Sequence, residues 1–207
     1  MSQTERAELC DLALRVGADA PTLCEGWTVK DLVVHLLLRE GSPAAVGIVL
    51  TPLAGLTERV SQRMGRRDFA ELVDKLRGGP PTLSPYVVPK LDALANTMEY
   101  FVHHEDIRRA QPDWAPRTLD EDAEKLLWSM IRTVGKRLTR GAPVGVTIEN
   151  SVTRSRAVLR QSSASVTVRG LPSEVSLFVF GRKAQARVEL LGDDDAVARL
   201  SSTSLGI

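Results

Sequence analysis

Cysteine and aromatic residues are scarce in this 207-residue chain, and each scarcity removes a class of function. The two cysteines, Cys10 and Cys24, are too few for a disulfide-stapled fold, and neither belongs to a Cys-x-x-Cys pair, which excludes a zinc knuckle. Aromatic residues make up only 4% of the chain, so a stacking platform for single-stranded nucleic acid is not expected. A formal net charge of +1 provides no broad basic surface, and we expect no nucleic-acid partner.

Long apolar runs are also absent. No stretch reaches the ~18 uninterrupted apolar residues that would span a bilayer, and residues 1–6 contain no apolar signal segment. We therefore expect no membrane partner, a cytoplasmic location, and two cysteines that act as small buried apolar side chains. The sequence leaves open whether the chain is a monomer or a homodimer.

What is present divides the chain into a helical part, residues 1–141, and a mixed part, residues 142–207. Apolar periodicity predicts helices over 3–17, 28–40, 56–64, 68–77, 90–110 and 120–139. Alternating or β-branched segments predict strands over 144–149, 157–160, 165–169 and 186–191, with helices over 171–180 and 194–200. The predicted fold class is therefore α+β, with a helical bundle followed by a small α+β domain.

Two helix starts carry recognisable caps. Thr28 and Asp31 have the spacing of a capping box, with Asp in place of the usual Glu or Gln, and this predicts where the second helix begins. Ser173 is the predicted N-cap of the helix over 171–180.

The three histidines lie in two segments that suggest metal chemistry. Glu99 and His103 are four residues apart, so on a helix both side chains share one face, with Cβ atoms about 5–6 Å apart. His35, on another helix, could supply a third ligand and leave the fourth position open, as in catalytic zinc sites. This ligand set suits Zn²⁺ best but tolerates Ni²⁺, Fe²⁺ or Mn²⁺.

The same residues also have structural interpretations. An acid–histidine pair can simply stabilise a helix, and His35 among Val and Leu neighbours can be a core histidine satisfied by one hydrogen bond. His104 lies about 100° further round the helix than His103. We expect it either beside a ligand or facing solvent.

Two further residues are candidates for supporting roles. Asp106 could accept a hydrogen bond from a ligand imidazole and so determine its tautomer, or it could pair with Arg109 or Arg39 instead. Arg39 lies one turn after His35 on the same face and could hold an anionic substrate, although a surface role is an alternative.

Residues 24–36, CEGWTVKDLVVHL, resemble the first motif of the mycothiol-dependent maleylpyruvate isomerase family, part of the DinB-like metal-binding superfamily. Residues 99–107, EYFVHHEDI, are similar to its second motif, and the double histidine before an acidic pair resembles a subgroup described only as metal-binding. Residues 170–182 and 188–193 resemble the family's sterol-carrier-protein-like C-terminal domain. The resemblance implies an N-terminal four-helix bundle in which His35, Glu99 and His103 bind a divalent metal, usually zinc, with mycothiol as cosubstrate.

The leading functional prediction is a metal-dependent enzyme, an isomerase or S-transferase, in which an activated small-molecule thiol attacks an electrophilic substrate. Two alternatives stay open: a noncatalytic metal-containing protein that binds a small apolar ligand, and a hydrolase that uses metal-bound hydroxide with Glu105 or Asp106 as base. Cys10 and Cys24 are not expected to be nucleophiles, because nothing near them in the sequence would activate a thiol.

Overall fold

The structure, a computed structural model, describes residues 1–41, 63–80 and 89–206, without the side chains of residues 41 and 89–95. The chain divides into two compact units, Met1–Ala115 and Pro116–Ile207. The predicted helix over 56–64 falls almost entirely outside the described residues.

The N-terminal unit is helical in its described part. Its helices are α1 (Ser2–Val16), α2 (Val29–Gly41), α3 (Phe69–Arg77) and α4 (Pro89–Arg108). Since residues 42–62 and 81–88 are not described, a bundle of four helices stays a prediction. None of the described helices is long and apolar enough to cross a membrane.

Local signals explain where these helices begin and end. The backbone N–H of Asp31 donates to Thr28 Oγ1 at 3.3 Å, and the backbone N–H of Thr28 donates to Asp31 Oδ2 at 2.9 Å, which confirms the capping box at the start of α2. Asp68 caps α3 by accepting from the backbone N–H of Glu71 at 3.1 Å. Helix α1 ends at Gly17, whose φ of +94° favours glycine.

The core of this unit lies where the apolar faces of the helices meet. α1 packs against α3 and α4, and α2 packs against α3. Large side chains that are essentially inaccessible to solvent fill the contact: Leu9, Leu32, Leu36, Leu72, Leu76 and Ile107. Burying each such side chain stabilises the fold by about 1.5–3 kcal/mol relative to leaving it exposed. The core thereby holds in place the faces of α2 and α4 that carry His35 and His103.

The C-terminal unit combines helices with a mixed sheet, which confirms the α+β class. Its elements are α5 (Glu121–Leu138), β1 (Gly145–Asn150), β2 (Arg156–Arg160), β3 (Ser165–Gly170), α6 (Pro172–Val179), β4 (Glu189–Leu191) and α7 (Asp194–Ser202). In the described chain the strand order is β2-β1-β3-β4. Strands β1 and β3 are parallel, with Val146 opposite Val166, and both outer pairs are antiparallel.

One buried carboxylate organises the middle of this sheet. Glu149 on β1 is inaccessible to solvent, and three guanidinium groups surround it. Arg169 Nε lies 2.8 Å from its Oε1, Arg156 Nε lies 2.5 Å from its Oε2, and Arg154 Nη1 lies 3.0 Å from its Oε1. Burial alone would raise the pKa of Glu149, but these cations lower it below its ordinary value.

Two of these elements differ from the sequence predictions. The N-cap of α6 is Leu171, not Ser173, because the Ser173 hydroxyl instead donates to Glu124 Oε1 at 2.7 Å. Strand β4 is only three residues long rather than 186–191, since it pairs with three residues of β3. The domain boundary at residue 141 stays a prediction, whereas the compact units divide at residue 115 because α5 packs on α6 and β2.

Candidate metal centre

Helices α2 and α4 bring the three predicted ligands together. His35 Nε2 lies 3.3 Å from Glu99 Oε1, and His103 Nε2 lies 3.2 Å from the same oxygen. The two imidazole rings meet nearly edge to face, with centroids 5.3 Å apart. One ligand atom from each of the three residues lies within 4.8 Å of the other two. Residues 64 positions apart in the chain thus form one cluster.

These separations match what a tetrahedral zinc ion requires. Ligand atoms at about 2.0–2.1 Å from such an ion are about 3.3–3.4 Å apart. The observed distances of 3.3 and 3.2 Å from Glu99 Oε1 to the two imidazole nitrogens are close to that value. Two imidazoles and a carboxylate are also a ligand set that Zn²⁺ takes in catalytic sites. The donor set therefore fits a divalent ion with little rearrangement.

The protonation of Glu99 and the protonation of His103 depend on each other. Burial alone would raise the pKa of Glu99, but hydrogen bonds from His103 and His35 hold it well below its usual range. Burial alone would lower the pKa of His103, but its contacts with Asp106, Cys24 and Glu99 raise it well above its usual range. His103 is therefore held as an imidazolium between two carboxylates, and its Nε2 would release a proton to solvent on binding a metal ion.

Arg39 adds a cation beside Glu99. Its Nε lies 3.4 Å from Glu99 Oε1, and its Nη1 donates to Asn96 Oδ1. Asn96 is buried, and its amide donates to Glu40 Oε1 at 3.2 Å. Arg39 is thus held between Glu99 and Asn96 at the edge of the cluster. Its suggested role in binding an anionic substrate stays a prediction.

Asp106 lies on the other side of the His103 ring. Its Oδ2 is 2.9 Å from His103 Nδ1, and the side chain is inaccessible to solvent. This is the geometry in which a carboxylate determines the tautomer of a ligand imidazole. Of the two arginines suggested as alternative partners, Arg109 places its Nε 2.5 Å from a different carboxylate, that of Glu105.

Cys24 is the residue that sequence reasoning missed. Its thiol lies 3.2 Å from Asp106 Oδ2 and 3.9 Å from His103 Nδ1, so Cys24 borders the cluster and is only half-buried. The expectation that both cysteines are merely buried apolar groups holds for Cys10 alone. The one available signal is that Cys24 lies in the same short segment as His35, the CEGW sequence that precedes α2.

His104 does not belong to this cluster, and the expectation that it could face solvent is wrong. The residue is 4% exposed, and its Nδ1 lies 2.8 Å from Glu5 Oε2 on α1. The 100° offset from His103 directs it into the contact between α1 and α4. His104 therefore helps to join these two helices.

One side of the cluster remains open to solvent. The side chains of His35 and Glu99 are 20% and 23% exposed, respectively. The ring of Trp27 lies against His35, with centroids 5.1 Å apart, and is itself partly exposed. Two of the three ligands are therefore partly accessible to solvent.

Comparison with known proteins finds a likeness for the N-terminal region. Residues 3–84 match the family model of the mycothiol maleylpyruvate isomerase N-terminal domain. This match includes His35 and Cys24 and ends before α4. No curated protein and no solved structure matches the chain. The likeness of the C-terminal unit to a sterol-carrier-protein-like domain stays a prediction.

Proposed function

We propose that this chain is a metal-dependent enzyme that uses mycothiol, because its residues 3–84 match the family model of the mycothiol maleylpyruvate isomerase N-terminal domain. The proposed reaction is isomerisation of an electrophilic substrate, or transfer of the thiol to it, in the cytoplasm. The observation that carries the proposal is the convergence of His35, Glu99 and His103 on one point, with one side open.

The three residues would hold the ion through His35 Nε2, Glu99 Oε1 and His103 Nε2. When bound, a divalent ion such as Zn²⁺ lowers the pKa of a coordinated thiol and so supplies thiolate at neutral pH. Three protein ligands leave a position for that thiol. Zinc is the proposed ion because the donor separations and the ligand types suit it.

The residues around the ligands prepare them for this role. Asp106 holds a proton of His103 at Nδ1, so Nε2, which faces Glu99, is the nitrogen that would bind the ion. Arg39 partly neutralises the Glu99 carboxylate, and we propose that it also attracts the carboxylate of an anionic substrate. The Trp27 ring contacts the His35 imidazole and restricts its orientation.

Specific contacts weaken one of the two bases named for the hydrolase alternative. The hydrolase alternative uses Glu105 or Asp106 as the base that activates metal-bound water. Glu105 is buried and paired with Arg109 at 2.5 Å and with Arg108 at 3.0 Å. A carboxylate bound by two guanidinium groups is a poor proton acceptor. The noncatalytic alternative, a metal-containing protein that binds a small apolar ligand, is tested by the same screen as the enzyme.

The test is a conjugation and isomerisation screen with mycothiol and electrophilic unsaturated acids, with products read by mass spectrometry. We expect a product that requires both mycothiol and the protein, and that is lost in Glu99→Gln but kept in Glu121→Gln. Glu121 is a matched control because it is a surface carboxylate paired with Lys125. Metal-dependent binding without turnover would favour the noncatalytic alternative, and ester hydrolysis without thiol would favour the hydrolase.

A further inference from the structure

The side of the His103 ring that faces away from Glu99 carries a second set of potential ligands. Cys24 Sγ, His103 Nδ1 and Asp106 Oδ2 all lie within 4.8 Å of one another. The sulfur is 3.2 Å from Asp106 Oδ2 and 3.9 Å from His103 Nδ1, and these two atoms are 2.9 Å apart. The proposed catalytic ion uses none of these three atoms.

The separations are compatible with a metal ion. Around a tetrahedral zinc ion, with sulfur at about 2.3 Å and nitrogen or oxygen at about 2.0–2.2 Å, donor atoms are about 3.4–3.6 Å apart. The observed 2.9, 3.2 and 3.9 Å each differ from this range by about half an ångström or less. Small rotations of the Cys24 and Asp106 side chains would bring the three donors into position.

The protein backbone holds these donors in place. The N–H of Leu23 donates to the backbone oxygen of Asp106 at 3.0 Å, which ties the segment before α2 directly to α4. The N–H of Cys24 donates to Thr22 Oγ1 at 3.2 Å. Near the same place, Gln111 Nε2 donates to Pro21 O at 3.0 Å. Cys24 therefore faces His103 as a consequence of the fold, so little ordering is needed when an ion binds.

We propose that Cys24, His103 and Asp106 form a second metal site that takes thiophilic divalent ions such as Zn²⁺, Co²⁺ or Cd²⁺. A thiolate, an imidazole and a carboxylate select these ions over Mg²⁺ or Ca²⁺, which take oxygen ligands. Binding releases the Cys24 thiol proton and the His103 Nδ1 proton to solvent. The two sites share one imidazole, so the second ion to bind is repelled by the first and binds more weakly.

The test is a titration of the full-length, metal-free protein with Co²⁺ in a buffer that contains no thiol. A cobalt–thiolate bond has a charge-transfer absorption in the near ultraviolet that imidazole and carboxylate ligands do not produce. We expect this absorption in the wild type, its loss in Cys24→Ser, and its retention in Cys10→Ser, the matched control with a buried thiol. We also expect it in Glu99→Gln, which disables only the first site.

Two results would overturn the proposal: no charge-transfer absorption in the wild type at saturating Co²⁺, or an absorption that survives Cys24→Ser. The wild-type measurement is decisive even if a variant fails to fold. The titration also separates the two proposals. If the first site does not exist, Glu99→Gln and the wild type bind the same number of Co²⁺ ions. If the second site does not exist, the wild type shows no cobalt–thiolate charge-transfer absorption.

Discussion

Replacing Asp106 with asparagine tests how the protein prepares His103 to bind a metal. The two side chains are nearly equal in size, and Asp106 is buried, so the change removes a charge and leaves the packing almost intact. In the wild type, Asp106 Oδ2 lies 2.9 Å from His103 Nδ1. An amide accepts the same hydrogen bond more weakly and can also present its NH₂ group to the ring.

The expected loss follows from this contact. Removing a carboxylate that supports a ligand imidazole weakens metal affinity by about 10- to 100-fold, or about 1.4–2.7 kcal/mol. Asp106 is buried, so water does not replace the lost interaction, and we expect a value towards the upper end of that range.

The measurement is competition for Zn²⁺ against a chromophoric chelator, with Cys24→Ser in every protein so that the thiol takes no part. Asp11→Asn is the matched control, since Asp11 is a surface carboxylate 2.7 Å from Arg77. An unchanged zinc dissociation constant in Asp106→Asn, relative to this control, would refute the idea that Asp106 prepares His103.

Three further outcomes are expected. Arg6→Met removes the guanidinium that is paired with Glu40 in the core, and we expect urea denaturation to show a loss of about 3–5 kcal/mol in the free energy of unfolding. Iodoacetamide should alkylate Cys24 before Cys10 at neutral pH, as read by peptide mass spectrometry, because burial raises the pKa of Cys10 to about 11; equal rates would contradict this. Although burial alone would raise the pKa of Glu149, its arginine partners lower it from its ordinary value of 4.5. The stabilisation from this carboxylate is therefore complete above about pH 4.5 and is lost as pH falls through the lowered pKa. The stability difference between wild type and Glu149→Gln should shrink over that range in denaturation series, and a constant difference would count against the assignment.

The helix boundaries were predictable because the signals that determine them are local. The capping box of Thr28 and Asp31 places the start of α2 to within one residue, and Gly17 ends α1. The shared face of Glu99 and His103 also follows from helical spacing alone. These features need only residues a few positions apart in the chain.

The long-range features were beyond such reasoning. Cys24 reaches Asp106 across 82 positions, and His104 reaches Glu5 across 99. These contacts form because α1 packs on α4 and because the backbone N–H of Leu23 donates to the backbone oxygen of Asp106 in α4. Sequence periodicity places His104 about 100° round α4 from His103 but does not show whether another helix covers that face.

The most direct test of the central claim is the metal content of the purified protein, measured by plasma mass spectrometry after dialysis against a weak chelator. With Cys24→Ser in every protein so that the second site takes no part, we predict that Glu99→Ala binds one equivalent of divalent metal fewer than its parent, whereas Glu121→Ala, a surface change, binds the same amount. Unchanged metal content in Glu99→Ala would show that His35, Glu99 and His103 do not hold the ion.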